Sequence, residues 1–462
     1  MVWEFYSDKT ILLTGGTGFV GTAILYRILS ESTPRRIFLL LRGGQQKARD
    51  TWADLLSDTI ADSLIQTPRI TIVIGDLKST NLGLSDSDWE CLKESVEIVI
   101  HTASPINLAA NLNRMSELII SPTIFLAETA LQIPALQRFL FVSTAYSNSH
   151  LWALGREDDV LVQEDLYTFD TIHATSRPGN GSFEDITKGA KQEWESIRKY
   201  QTTDIWETFD FPWAYGYAKN LTERLLWEMF GRKNALDKCL IVRPSIIAPA
   251  QSFPYRGFAR ANSVPAAGFA ASILLSPGRH FNFASRGSDP LNNSTLDEVP
   301  VDVVVDRLLV HLAHGTIGVV HAVSSKRQRL SFFGYIWPKI VEERPFPWKI
   351  KPVWKSQDWH AHGLHFANRI FKLPGTSFNF EETKTEELYA NLNSHEKSEL
   401  VLFTNEHKPS SKERRSIVQD MLLVFGKKQH IPSFFIKSFF PAGETDEMEA
   451  PQLPNAKDKE KF

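Results

Sequence analysis

Apolar residues in the first three quarters of the chain fall in short blocks separated by amphipathic stretches. Residues 11–13 (ILL), 36–42 (RIFLLLR), 70–74 (ITIVI), 97–103 (EIVIHTA), 138–143 (RFLFVS), 239–243 (CLIVR) and 318–323 (GVVHAV) read as strands. Continuous apolar runs of this length suit strands covered on both faces, as in a parallel sheet. After the first block Ala23, Ile24, Leu25, Ile28 and Leu29 recur at helical spacing. This alternation predicts an α/β fold with a doubly wound parallel sheet. It stops near residue 325. Residues 381–404 and 411–425 then read as helices, so a smaller, mainly helical C-terminal domain is expected over 326–440, after a first domain over 1–325. Residues 441–462 carry mixed charge and few apolar groups and are expected to be a disordered tail. Residues 151–210 are polar, with a Ser/Gly/Asn-rich piece at 175–182, and read as a long irregular excursion and a candidate lid.

The first strand breaks at Thr14 into Gly15-Gly16-Thr17-Gly18-Phe19-Val20-Gly21. A glycine turn between a strand and a helix is the Rossmann-type arrangement for a dinucleotide. Gly15 permits the tight turn, Gly18 lets the backbone approach a pyrophosphate, and Gly21 allows close helix–strand packing. The helix N-terminus supplies unpaired N–H groups for the anion. Thr14, Thr17, Phe19 and Val20 belong to the same turn. Leu77, Thr102 and Ala103 stand at neighbouring strand ends and are also expected to line the cofactor. The second strand ends in Arg42, a basic residue that suits the 2′-phosphate of NADPH better than the free ribose of NADH. Asp76 either bonds the adenine amino group or caps its own turn. His101 ends the fourth strand and reads as a satisfied strand-end histidine.

The 462 residues carry a formal net charge of −3 and 42% hydrophobic residues. That is enough for one large domain and a smaller one, and no global field recruits nucleic acid. Cys91 and Cys239 lie in apolar surroundings and read as packed thiols. The start, MVWEFYSDKT, lacks a signal-peptide pattern, and no apolar run is long enough for a bilayer. A cytoplasmic protein is expected. Residues 431–440, IPSFFIKSFF, either pack on the core or make peripheral contact with a membrane surface. His360, His362 and His365 lack a partner Cys or acid in a recognisable ligand pattern, so no metal is expected.

Tyr215 and Lys219 are four residues apart on a predicted helix and share a face. An ammonium beside a phenol favours phenolate, bringing the tyrosine toward the working pH of a general acid–base. Thr144, or its neighbour Ser143, offers a hydroxyl at the carboxyl end of the fifth strand. With a nicotinamide these groups make a carbonyl reduction site. Tyr335 and Lys339 repeat the spacing, but Pro338 between them argues against the helix that would align them.

The order TGGTGFVG, GDLKSTNLGLS (75–85), RFLFVSTAYSN (138–148), YGYAK (215–219) and IVRPSII (241–247) resembles fatty acyl-CoA reductases. These are extended short-chain dehydrogenases/reductases close to thioester reductase domains. The stretch 378–403 resembles that family's small C-terminal domain. The resemblance implies reduction of a fatty acyl-CoA by NADPH to the aldehyde and on to the primary alcohol. A carrier-protein thioester is the alternative donor, and an NADP-binding regulator on the same fold the non-enzymatic alternative. It also implies Thr144, Tyr215 and Lys219 as the catalytic trio, Lys219 holding the nicotinamide ribose, and Pro244 and Ser245 beside the nicotinamide. Small residues at 266–272 sit where acyl-pocket residues are expected.

Overall fold

The computed structural model describes residues 2–153, 159–179, 182–324, 330–372, 375–404, 411–428 and 430–441. Seven parallel strands form the central sheet: β1 (Thr10–Thr14), β2 (Arg36–Leu41), β3 (Ile70–Ile74), β4 (Ile98–His101), β5 (Arg138–Val142), β6 (Cys239–Pro244) and β7 (Gly318–Ala322). Their spatial order is β7-β6-β5-β4-β1-β2-β3. β1, β4, β5, β6 and β7 are buried at every position, which is why their sequences run apolar without alternation. The edge strand β3 is only partly covered, and its Ile74 is exposed. The order reverses between β1 and β4, the crevice where open sheets of this kind take a ligand at their carboxyl ends.

Seven helices matter for the site: α1 (Phe19–Glu31), α2 (Gln45–Leu55), α3 (Ala214–Arg232), α4 (Pro265–Leu274), α5 (Val301–Ala313), α6 (Ser411–Lys428) and α7 (Ser433–Phe439). α1 follows the glycine turn directly and is clamped to α5. Arg27 makes two bonds to the buried Asp306 carboxylate, at 2.8 and 2.9 Å, and one to the carbonyl of Glu399, at 2.7 Å.

Among its described residues, the stretch 151–210 is largely regular. Within it lie the strand Val160–Val162, an antiparallel hairpin (Tyr167–Asp170 with Thr175–Pro178) and the helices Phe183–Thr187, Ala190–Tyr200 and Asp204–Phe209. Its polarity misleads because some charges point inward. Glu193 accepts two bonds from Arg224 and one from the Tyr217 hydroxyl, all buried. Buried polar groups are tolerated when their hydrogen bonds are made in this way.

The C-terminal part also carries strands. Lys351–Ser356 pairs with His280–Ala284, and Phe378–Phe380 pairs with Val160–Val162. The boundary expected near residue 325 is therefore crossed by backbone hydrogen bonds in both directions. The single helix expected over 381–404 is two, Thr383–Asn391 and Ser394–Glu399. Asn393 starts the second with a capping box to Glu396, and a residue in that role cannot continue the first. In α7 Ile436 is buried while Phe434, Phe435 and Phe439 are exposed. Of the tail expected at 441–462, all but Pro441 lies outside the described residues. No helix among the described residues is long and apolar enough to cross a membrane.

Candidate active site

The glycine turn has the geometry its residues suggest. Gly15 adopts φ +76°, and a Cβ there would lie 2.6 Å from the Thr102 hydroxyl. A Cβ on Gly21 would lie 2.1 Å from the Gly15 carbonyl oxygen, so only glycine lets α1 start against the turn. Gly18 is the N-cap of α1, and no side chain caps it, leaving the first N–H groups of the helix to face a ligand. This cradle fits a dinucleotide pyrophosphate. Thr14 is turned away from it: its hydroxyl bonds His101 Nδ1 at 2.7 Å. His101 also bonds the Thr123 hydroxyl, and burial followed by the Lys219 charge lowers its pKa to about 3. It is a satisfied neutral histidine. Thr102 donates to the Thr14 carbonyl at 2.8 Å, and Arg260 reaches the Thr17 carbonyl at 3.2 Å.

β5 delivers Thr144, and α3 delivers Tyr215 and Lys219. Thr144 caps the short turn Ala145–Asn148. That turn touches α3 at Gly216, where a Cβ would lie 2.9 Å from the Tyr146 carbonyl. This close approach sets the Thr144 hydroxyl beside the Tyr215 phenol, where it lowers the phenol's pKa. Val20, Thr102, Thr144, Tyr215, Lys219, Pro244 and Ser245 line one cleft at the carboxyl end of the sheet. Arg42, Asp76 and Leu77 stand outside it, beyond the ends of β2 and β3. Asp76 caps its own turn, accepting from the Lys78 amide at 3.1 Å. Arg42 is exposed just before α2, whose N-cap Gly44 has no side-chain cap.

The electrostatics correct one expectation. Lys219 is buried, donates to the Val142 carbonyl at 2.8 Å and lies 6.0 Å from the Tyr215 ring centre. Burial lowers its pKa to about 7 against the opposing pull of Glu223. Burial also pushes the Tyr215 phenol well above its ordinary value, and the Thr144 hydrogen bond offsets this only in part. The phenol is held protonated, not moved toward phenolate, because burial disfavours its charged form more than the Thr144 hydroxyl favours it. A protonated phenol is the form a general acid needs.

Other residues that brace the cleft were not singled out in the sequence. Glu223, one turn beyond Lys219, is fully buried and accepts from both the Ser143 hydroxyl and Arg243. Ser143 is thus committed to Glu223, which leaves Thr144 as the hydroxyl facing Tyr215. The Ser245 hydroxyl is tied to Asp297 at 2.6 Å. The spacing of Glu223 after Lys219 on one helix was the available signal. Tyr335 and Lys339 are in fact aligned, with Lys339 Nζ 2.6 Å from the phenol oxygen. Pro338 sits in the first turn of the helix Trp337–Glu342, where a missing N–H does no harm. The pair is far along the chain from the cofactor turn and does not line the cleft. Among the described residues no group of three or more His, Cys, Asp or Glu is placed to hold a metal.

A parallel sheet in this order, a glycine turn at its switch point and a Thr-Tyr-Lys cleft define an extended short-chain dehydrogenase/reductase with a nicotinamide dinucleotide site. The sequence profile described as male sterility protein matches residues 13–308. The chain belongs to that family, the family of the fatty acyl-CoA reductases. Fatty acyl-CoA reductase 1 of Mus musculus is 28% identical over 317 residues, covering 66% of this chain and 55% of the relative. Fatty acyl-CoA reductase 2 of Mus musculus is 25% identical over 381 residues, covering 81% and 64%. The chain therefore spans somewhat over half the length of these relatives. Among solved structures, the terminal R domain from the myxalamid PKS-NRPS biosynthetic pathway shares the fold. Its TM-score is 0.57 at 17% identity, covering 91% of this chain and 92% of that one.

Proposed function

We propose that this chain reduces a fatty acyl-CoA thioester with NADPH, giving first the aldehyde and free thiol and then the primary alcohol. The observation that carries the reading is the meeting of Thr144, Tyr215 and Lys219 in one cleft beside the glycine turn. The fatty acyl-CoA reductases among the relatives support the substrate class. Arg42, exposed ahead of the uncapped N-terminus of α2, supports NADPH over NADH, since both features favour an extra phosphate.

When bound, a reduced nicotinamide supplies the hydride that the carbonyl carbon needs. Gly15, Gly18 and Gly21 would hold its pyrophosphate, and Pro244 and Ser245 would lie beside its ring. The Thr144 hydroxyl and the Tyr215 phenol converge on the carbonyl oxygen as charge develops there. Tyr215, kept protonated by burial, passes its proton to that oxygen. The resulting hemithioacetal loses the thiol and leaves the aldehyde. With a second NADPH bound in place of the spent cofactor and Tyr215 reprotonated from solvent, the same residues would reduce the aldehyde to the alcohol. Lys219 holds the ribose of the cofactor and stands near the phenol as it gives up its proton.

Purified protein with NADPH and palmitoyl-CoA is expected to consume cofactor and release free thiol. Tyr215→Phe is expected to lower both rates by about 10²–10⁴-fold and to leave NADPH binding near its original strength. Undiminished turnover would remove Tyr215 from the mechanism. Reduction of carrier-bound but not CoA-bound chains would change the donor. NADPH binding with no reduction of any acyl thioester would leave the regulator reading in its place.

A further inference from the structure

The loop between the short strand Ile246–Ala248 and α4 forms a strap against α1 and α2. Asp302, buried in the first turn of α5, fixes its near end by accepting from the amides of Gln251, Ser252 and Phe253 at 3.1, 2.8 and 3.2 Å. Phe253 then packs on Tyr26, and the fully buried Phe258 packs on Phe19, each with ring centres 5.4 Å apart. The Tyr255 hydroxyl donates to the carbonyl of Leu55, the last residue of α2, at 2.9 Å. The far end of the strap, at Ser263 and Pro265, lines the catalytic cleft. Between Phe258 and Ser263 the strap carries Arg260, half-buried, whose Nη1 donates to the Thr17 carbonyl at 3.2 Å.

Thr17 directly precedes Gly18, the N-cap of α1 that no side chain caps. A guanidinium is therefore held beside the helix amides that suit a pyrophosphate. Arg27, Arg224, Arg243, Arg307 and Arg414 each meet a carboxylate. Arg260 meets none among the described residues, and its side-chain bond goes to a neutral carbonyl. The remaining N–H groups of its planar fork are free to meet an anion. We infer that Arg260 is a cofactor-binding residue, a cation that the strap sets on the dinucleotide's pyrophosphate alongside the N-terminus of α1. The inference rests on the dinucleotide part of the proposed function and not on the thioester. A helix N-terminus supplies N–H groups but only a partial charge. A guanidinium adds the full positive charge that the glycine turn lacks, and its bonds to an anion are stronger than those of a neutral donor. The pyrophosphate is common to NADPH and NADH, so Arg260 acts on both alike, whereas Arg42 is assigned to the 2′-phosphate. The two arginines thus divide affinity from coenzyme choice.

The test is equilibrium binding by calorimetry, without substrate, of NADPH, NADH, ADP-ribose and 2′-AMP. ADP-ribose has the pyrophosphate and no 2′-phosphate, and 2′-AMP has the reverse. Arg260→Gln removes the charge but keeps an amide donor, and Arg260→Lys keeps the charge. In Arg260→Gln the Kd values of NADPH, NADH and ADP-ribose are expected to rise about tenfold by similar factors, and that of 2′-AMP to stay within about twofold. Arg260→Lys is expected to regain part of the loss, since it restores the charge without the fork. A loss confined to NADPH and 2′-AMP would put Arg260 on the 2′-phosphate and overturn the inference. An equal loss on all four would make Arg260 a brace of the turn and overturn it too, as would no loss on any. Because no thioester is present, the result stands whether or not the chain reduces one.

Discussion

Lys219 Nζ lies 2.8 Å from the carbonyl oxygen of Val142, so a side chain of α3 closes on the last residue of β5. The contact fixes the lysine against the sheet edge at the cost of taking an amine out of water. Tyr215, His101 and Glu223 are the ionisable groups that face it.

That burial gives a pH signature. The pKa of Lys219 is about 7 in the folded protein, below its ordinary value of 10.5. Between those values the unfolded chain binds the extra proton, so stability rises with pH across this window. Lys219→Met is expected to flatten the rise and to gain roughly 2 kcal/mol at pH 7, net of the lost hydrogen bond. Activity should fall by two orders of magnitude or more, as expected for loss of a positioned catalytic group. Urea denaturation at several pH values measures the first effect, and an unchanged slope against pH would contradict the burial argument.

Gly216 is the spacer between α3 and the turn after β5. Gly216→Ala would put a Cβ 2.9 Å from the Tyr146 carbonyl and 3.2 Å from the Ser149 hydroxyl. The helix must then retreat, which separates Tyr215 from Thr144. The expected result is a drop in kcat of about tenfold to hundredfold, with NADPH affinity kept because the glycine turn is untouched. Equal losses in kcat and NADPH affinity would point to general unfolding instead.

Glu223 and Arg243 form a fully buried ion pair beneath the site. Removing one partner strands the other, so Glu223→Gln is expected to cost about 3 kcal/mol or more. Replacing both, Glu223→Leu with Arg243→Met, should recover roughly half of that loss, because no charge is then left unpaired. Chemical denaturation of the three variants checks the cycle.

Arg42 carries the coenzyme preference in the reading above. Arg42→Asp is expected to shift the NADPH-to-NADH ratio of kcat/KM by roughly tenfold or more toward NADH, since a carboxylate repels the extra phosphate and accepts from a ribose hydroxyl. An unchanged ratio would move the phosphate to other residues.

The sheet was readable because most of its strands are covered on both faces and so carry unbroken apolar runs. The glycine turn was readable because steric needs at Gly15 and Gly21 leave few alternatives. The region 151–210 was not, since Glu193 and Arg224 look solvent-seeking in sequence yet satisfy each other inside. The C-terminal part is mainly helical as expected, but the short strands inside it were not legible, for a different reason. Phe378–Phe380 is too short to announce itself as a strand and forms one by pairing with residues more than two hundred positions earlier. At the site, the spacing of Tyr215 and Lys219 was visible, but the balance of desolvation against charge was not. That balance depends on how much water the folded chain excludes.

The clamp on α1 bears on the order in which the protein is made. Arg27 waits for Asp306 and for the carbonyl of Glu399, and the backbone amide of Val2 bonds the Glu396 carboxylate at 3.1 Å. A chain leaving the ribosome with the glycine turn, the sheet and Tyr215 already exposed still lacks the residues that lock its own beginning in place. The residues that hold α1 lie 279 and 372 positions beyond Arg27. Contacts spanning so much chain are slow to close. The lock on α1 therefore closes late relative to the local contacts of the glycine turn.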